Sequence, residues 1–227
     1  MTNEIIFIVH TITVTCATLI ALALGSYGLV AFVSVQCLLA NLFVIKNITL
    51  FGFSATCADA FTVGATLSLN LLQEYFGKDI AKKAIWINFF ILIFYTIASQ
   101  IHLWYQPNNF DTMQQHFVPI LHLMPRITIA SLLVYLFVQL LDYYVYGLLK
   151  KKFDNRFLVA RNYASIAFCQ LIDTVLFSFL GLYGLVENIG HIIIVSYTIK
   201  LVSIILATPF IAFSRIIFNR TNHARSS

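Results

Sequence analysis

Apolar residues fill long, unbroken stretches of this chain, and polar residues are confined to short intervals between them. Seven stretches reach the length of about 20 residues that a helix needs to cross a bilayer. They are Ile5–Leu24, Tyr27–Ile45, Phe53–Leu72, Ala84–Trp104, His122–Leu149, Asn162–Val186 and His191–Ser214. Because a helix satisfies its own backbone hydrogen bonds in lipid, the pattern predicts an all-α membrane protein. We expect a bundle of six to seven transmembrane helices.

Composition supports the same fold class and limits what else the chain can contain. The 227 residues are 60% hydrophobic and 10% charged, whereas soluble domains carry about 25% charged residues. Short turns join the stretches and no linker separates them, so residues 1–227 are expected to form a single integral membrane domain. No Walker motif, Rossmann glycine pattern or nucleophile elbow occurs, and we predict that the protein is not an enzyme.

The positive charges indicate the orientation in the membrane. Of 14 Lys and Arg residues, 11 follow the third, fifth and seventh stretches: Lys78, Lys82, Lys83; Lys150, Lys151, Lys152, Arg156, Arg161; Arg215, Arg220, Arg225. Basic residues accumulate on the cytoplasmic side of membrane proteins. The pattern therefore predicts a cytoplasmic C-terminus, outer loops at Tyr105–Leu121 and Glu187–Gly190, and contact with membrane lipid rather than with nucleic acid.

Cysteine and histidine give no sign of a metal or a cofactor. The four cysteines lie within apolar stretches, where a thiol behaves as a small hydrophobic side chain. The histidines lack the spacing of a metal site. We predict no cofactor and no bound metal.

A Gln-x-x-Asp phrase occurs twice within apolar sequence, at Gln139–Asp142 and at Gln170–Asp173. A carboxylate at the centre of a spanning helix costs about 2.5 to 3.5 kcal/mol on insertion scales, and such residues usually mark a substrate or ion path. The phrase therefore favours a transport function. The alternative is structural, with each aspartate bonded to a backbone carbonyl or neutralised by Lys200.

Helical periodicity collects the polar residues into stripes. One face of the third stretch carries Asp59, Thr62, Thr66, Asn70, Gln73 and Glu74, and one face of the fifth carries Ser131, Tyr135, Gln139, Asp142 and Tyr146. Lys200 aligns with Ser196 and Ser203 in the last stretch. Stripes that face one another would enclose a central cavity.

Three features leave alternatives open. Arg126 either extends to the outer surface or approaches a ligand from a bent first turn of the fifth helix. Asn41 either caps the second helix or belongs to the site. The repeat of Ala17, Ala21 and Gly25 suits packing between helices or a homodimer interface.

Several segments resemble the queuosine precursor transporter family. They are Leu39–Lys46, Phe51–Thr56, Glu74–Lys78, Lys82–Trp86, Met124–Ile127, the two Gln-x-x-Asp phrases, and Lys200 with Thr208–Phe210. The resemblance implies an importer of 7-deazaguanine bases such as preQ0, preQ1 or queuine, in the bacterial inner membrane, for salvage into tRNA queuosine. It also implies a six-helix core plus an N-terminal helix, similar in layout to vitamin-uptake proteins. A substrate-binding subunit that needs a separate ATP-driven module is the alternative.

The resemblance also suggests a binding chemistry. A guanine-like edge offers two parallel N–H donors that match one carboxylate, and a carbonyl that accepts a hydrogen bond. Asp142 or Asp173 could accept from the donors, and Lys200, Gln139 or Gln170 could donate to the carbonyl. Tyr135, Tyr146 or Phe177 could stack on the ring. The family usually has an aspartate where this chain has Asn70, four residues before Glu74, and here an acid appears instead at Asp59, on the same face. The predicted substrate-binding residues are Asn70, Glu74, Arg126, Tyr135, Gln139, Asp142, Gln170, Asp173 and Lys200.

Overall fold

The computed structural model of the chain describes residues 2–152, 158–202 and 214. The side chains of residues 139, 140, 142–144, 146–152 and 158–166 lie outside this description. The helices are α1 (Asn3–Ala23), α2 (Ser26–Phe43), α3 (Asp59–Phe76), α4 (Lys78–Leu103), α5 (Gln114–Leu121), α6 (Met124–Lys152), α7 (Leu158–Leu182) and α8 (Ile189–Val202).

The prediction of an all-α membrane protein is confirmed. Within the described residues, four segments are long and apolar enough to cross a bilayer: α1, α2, α4 and Gln114–Val138, which joins α5 to the first half of α6. Large apolar side chains point outward from these helices, as at Ile12, Phe90 and Leu133, which are more than half exposed. In water such a surface would be unfavourable, so it is the surface that faces lipid.

A β-hairpin precedes α3, where the sequence predicted a helix starting at Phe53. Strand β1 (Asn47–Leu50) pairs antiparallel with β2 (Phe53–Thr56), and α3 begins only at Asp59. The two turn residues, Phe51 and Gly52, have φ of 50° and 81°. Positive φ at both positions is the signature of the type I′ turn, whose twist matches that of the paired strands.

The hairpin connects two distant parts of the bundle. The Asn3 side chain donates to the Thr49 carbonyl at 3.0 Å, and the Phe51 amide donates to the Glu4 carboxylate at 3.0 Å. On its other side, the Asn47 side chain donates to the Leu185 carbonyl at 3.2 Å. The start of α1 and the α7–α8 connection therefore meet at the same end of the molecule.

The segment predicted as an outer loop contains the short helix α5. The Asp111 carboxylate accepts from the amides of Met113 at 2.6 Å and Gln114 at 3.1 Å, and so satisfies two amides where the helix begins. At the other end of α5, the Gln100 side chain donates to the Leu121 carbonyl at 2.8 Å. This bond attaches α5 to the end of α4.

Buried polar groups fasten α1 to α2 and α3. The fully buried Gln36 donates to the Thr18 hydroxyl at 3.1 Å and accepts from the Ser68 hydroxyl at 3.2 Å. Gly64 lies at the same crossing, where an added Cβ would overlap Val14 and stand 2.8 Å from the Gln36 amide nitrogen. The backbones of α1 and α3 approach closely because residue 64 lacks a side chain.

An apolar cluster closes the hairpin end of the bundle. Its buried members come from the adjoining ends of α2, α3, α5, α6, α7 and α8: Val44, Ala58, Leu121, Met124, Ile127, Leu182 and Ile192. We call this set the end cluster. It covers the hairpin side of the cavity described next, because Val44 and Ala58 belong to both.

Candidate functional site

A cavity of about 440 Å³ lies inside the bundle, between α2, α3, α4, α6, α7 and α8. This volume falls within the range of about 300 to 1,000 Å³ typical of small-molecule sites. Its walls are largely apolar, with a limited set of polar side chains. The polar lining comprises Asn41, Thr62, Thr66, Asn70, Gln73, Asn88, Ser131, Tyr135, Gln170, Asp173 and Lys200.

An ion pair stands in the wall formed by α7 and α8. The Lys200 ammonium lies 2.5 Å from the Asp173 carboxylate and donates to the Thr174 hydroxyl at 3.1 Å. The Thr174 hydroxyl in turn donates to the Gln170 carbonyl at 2.8 Å. The two charged side chains are 14% and 27% exposed, so each is shielded from water yet open to the cavity. The pair offers a ligand one acceptor and one donor side by side.

A second buried acid lies close by but outside the cavity lining. Asp59 is 5% exposed, and its carboxylate accepts from the Ser196 hydroxyl at 3.1 Å. Ser196 lies one helical turn before Lys200 on α8. The bond ties the first turn of α3 to α8, so Asp59 does not occupy the position where the family pattern led us to look for an acid near Asn70.

Aromatic rings supply flat apolar surface to the cavity. Phe89 and Tyr135 pack edge to face, with ring centroids 5.2 Å apart and planes at 83°, and both line the cavity together with Phe177. Tyr135 and Phe177 are two of the three rings that the sequence suggested for stacking. The third, Tyr146, has a side chain outside the described residues.

Five of the nine side chains predicted from the sequence meet at this cavity: Asn70, Tyr135, Gln170, Asp173 and Lys200. Gln139 and Asp142 lie on α6 among the side chains that the structure does not describe. Glu74 is exposed near the end of α3 and does not belong to the lining.

Arg126 does not line the cavity. Its guanidinium donates to the carbonyl of Leu180 at 3.2 Å and to that of Tyr183 at 2.6 Å. These carbonyls belong to the last turn of α7 and the residue that follows it, where backbone acceptors lack helical partners. Arg126 therefore fastens the start of α6 to the end of α7.

Two asparagines in the cavity wall were missed or undervalued by the sequence analysis. Asn88 was missed altogether, although it is the sole asparagine of the apolar stretch Ala84–Trp104. Asn41 lies inside α2, 7% exposed, and does not cap that helix, which ends at Phe43. Asn88 could have been found by the rule applied to the aspartates, that a polar group within apolar sequence needs a partner.

The described residues contain no group of three His, Cys, Asp or Glu side chains that could hold a metal ion. The polar groups that face the cavity are carboxamides, hydroxyls and one ion pair. These groups suit a neutral or weakly charged organic ligand that has several donors and acceptors.

Comparison with known proteins gives a family for this arrangement. Residues 56–214 match the model of the family described as "Putative vitamin uptake transporter", which covers α3 to α8. The chain belongs to this family. It is also 34% identical, over 190 residues and 82% of each chain, to a Bacillus subtilis (strain 168) protein named "Probable queuosine precursor transporter". No solved structure matches the chain.

Family membership is consistent with the fold. The apolar helices and the relationship to transporters make this a multi-pass membrane protein of a transporter family. The matched segment supplies the ion pair and the wall from α3 to α8, whereas α1, α2 and most of the hairpin precede it. Asn41, on α2, therefore lies outside the family match.

Proposed function

We propose that this protein imports a queuosine precursor, a 7-deazaguanine base, across the bacterial inner membrane by alternating access. The observation that carries the proposal is the Asp173–Lys200 pair in the wall of a cavity enclosed by apolar helices. Buried charges in membrane helices usually serve a transported molecule. The name of the related protein supplies the class of that molecule.

The lining suits a flat bicyclic base. Asp173 can accept the two parallel N–H donors of the six-membered ring, and Lys200 can then donate to the adjacent carbonyl. Gln170, one turn before Asp173 on α7, adds a further donor and acceptor. Tyr135 and Phe89 offer ring surface, and stacking of a base on an aromatic ring contributes about 1 to 3 kcal/mol.

The ion pair also suggests how the empty site remains stable. Without a ligand, Lys200 neutralises Asp173; with a base bound, both groups keep partners while the base inserts its donors and carbonyl. An unpaired charge is therefore avoided in both states. This matters in the membrane, because a lone buried charge is strongly destabilising.

The apolar end cluster supports a direction of access. It packs over the hairpin end of the cavity, which the charge pattern assigns to the outside, while the exposed Asn70 and Gln73 line the opposite end. We infer a state closed to the outside. Opening the cavity to the outside would separate the ends of α2, α6 and α8 that meet in the end cluster.

Uptake in cells tests the proposal. A bacterial strain unable to synthesise queuosine precursors is supplied with preQ1 or queuine, and queuosine in its tRNA is measured with and without this gene. We expect queuosine to appear only with the gene, and Asp173→Asn to abolish it. Asp79→Asn, the same change at an exposed acid in the first turn of α4, should have no effect. Equal queuosine with and without the gene would refute the function.

The family description also favours one alternative, that the chain captures the substrate for a separate ATP-driven module. Purified protein in liposomes loaded with labelled base distinguishes the two. Transport by the chain alone supports the proposal. Binding without transport would favour the capture subunit if transport then begins when a membrane extract and ATP are added.

A further inference from the structure

Two buried oxygen atoms in the cavity wall have no hydrogen-bond partner among the described residues. They are the carboxamide oxygens of Asn41 on α2 and Asn88 on α4. Elsewhere in the described core, buried polar side chains are paired, as Gln36 is with Thr18 and Ser68, and Asp59 with Ser196. Most buried polar groups in folded proteins are satisfied, so these two exceptions need an explanation.

The orientation of Asn41 is fixed by its own nitrogen. The Asn41 amide group donates to the Cys37 carbonyl at 2.9 Å, which leaves the oxygen as the free end. The Asn88 side chain lies beside the Cys37 thiol. Cys37 therefore stands next to both asparagines, and α2 and α4 present two acceptors in one region of the wall.

This region differs in chemistry from the wall that carries the ion pair. Asp173 and Lys200, on α7 and α8, already have each other as partners, whereas the asparagine oxygens can only accept. A ligand that forms hydrogen bonds with both walls needs one set of donors for Asp173 and another for the two asparagine oxygens. The bicyclic ring supplies one set of donors, and a substituent must supply the other.

We propose that Asn41 and Asn88 form an acceptor subsite for the amine on the substituent of an amine-bearing precursor, such as preQ1 or queuine. This inference rests on the proposed function and names its preferred substrate. In preQ0 the substituent is a nitrile, which has no donor, and its nitrogen would face the two oxygens as a third acceptor. A site built to accept hydrogen bonds discriminates strongly against an analogue that cannot donate them.

The test measures binding of three bases to the purified protein in detergent. The bases are preQ1, preQ0 and unsubstituted 7-deazaguanine, and the variants are Asn41→Leu and Asn88→Leu, which replace the carboxamide with a hydrocarbon of similar size. We expect the parent to bind preQ1 at least tenfold more tightly than preQ0. Each variant should reduce that ratio at least threefold by weakening preQ1, and should bind 7-deazaguanine within twofold of the parent.

Each outcome has a defined meaning. A parent ratio near one, or a ratio unchanged in both variants, would overturn the acceptor subsite while leaving the importer intact. Equal weakening of preQ1 binding and 7-deazaguanine binding would also overturn it, because the asparagines would then contact the ring or support the fold instead of binding the amine. If the parent bound none of the three bases, the proposed function would fail as well.

A stability measurement shows whether the variants remain folded. Because leucine removes a buried acceptor without a partner, the melting temperature of the ligand-free Asn41→Leu protein should equal or exceed that of the parent. If that variant does not fold, the ratio measured on the parent and on Asn88→Leu still decides the question.

Discussion

At the residue scale, Asp173 and Lys200 depend on each other. Each is largely shielded from water, and the two are in direct contact, with the buried Asp59 carboxyl as a further acid near Lys200. Removing one partner from a buried pair leaves an uncompensated charge, whereas removing both leaves none. Their contributions to stability and to binding can therefore be separated.

We predict that Asp173→Asn and Lys200→Met each lower the melting temperature of the ligand-free protein. The double variant should recover most of that loss, with a coupling energy of about 1 to 3 kcal/mol. Substrate binding should be at least about tenfold weaker in all three, because the ligand needs both groups. Thermal unfolding and binding are measured on the same preparations. Additive losses of stability would show that the pair contributes nothing as a pair.

Much of this site was predictable at the level of single residues. A polar side chain within an apolar stretch costs free energy in lipid, and helical spacing shows which face of the helix it lies on. These two rules find Asp173, Gln170 and Lys200. Arg126 could not be resolved, because its partners are backbone carbonyls at the end of another helix. Backbone acceptors are the same in every sequence, so no pattern marks them.

At the element scale, the hairpin contains a residue that is poorly suited to its position. Phe51 has φ of 50° and is 69% exposed, and the left-handed conformation costs roughly 1 to 2 kcal/mol for an ordinary side chain. Asparagine followed by glycine is the favoured pair in a type I′ turn. The sequence hid this turn because β2 falls within the apolar stretch that begins at Phe53, and β1 falls in the short interval before it.

Replacing Phe51 with asparagine should therefore stabilise the protein by about 1 kcal/mol, which corresponds to a rise in melting temperature of roughly 2 to 4 °C. Gly52→Ala should have the opposite effect, because residue 52 has φ of 81° and an added methyl group meets only open space. Thermal unfolding of both variants is the measurement. A lower melting temperature for Phe51→Asn would mean that contacts of the Phe51 ring stabilise the protein by more than its left-handed backbone destabilises it.

The packing of α1 on α3 gives a second prediction at this scale. Gly64→Ala should destabilise the protein by about 1 to 3 kcal/mol, because the new methyl group would overlap Val14 and press on Gln36. The matched control is Gly190→Ala, a helical glycine whose nearest neighbour is the Asn188 side-chain oxygen, at 3.3 Å. We expect the control to change stability by less than about 0.5 kcal/mol. Similar losses in both variants would argue against a specific close approach at residue 64.

At the scale of the whole molecule, the all-α class follows from hydropathy alone, because lipid permits few other structures. The β-hairpin and α5 could not be foreseen in this way. Both lie where the long helices end and are held by specific hydrogen bonds between distant segments. The Asn47 side chain donates to the Leu185 carbonyl, and the Gln100 side chain donates to the Leu121 carbonyl. The orientation in the membrane is still a prediction from the charge pattern.

Cysteine labelling tests that orientation. Phe110→Cys, in the segment after α4, should react with a membrane-impermeant maleimide in intact cells, because Phe110 is 93% exposed and assigned to the outside. Lys78→Cys, at the start of α4, should react only after the cells are opened. The parent measures labelling of the four native cysteines. The reverse pattern would invert the topology and the proposed direction of access.

Direct binding of a labelled base tests the central claim, that a 7-deazaguanine is held in this cavity by the Asp173–Lys200 pair. Purified parent, Asp173→Asn and Asp79→Asn are titrated with labelled preQ1 at equilibrium. We predict saturable binding to the parent and to Asp79→Asn with equal Kd, and a Kd about ten- to a hundredfold higher for Asp173→Asn, the effect of losing a charged hydrogen-bond partner. Saturation of Asp173→Asn at the same concentration as the parent would contradict the account.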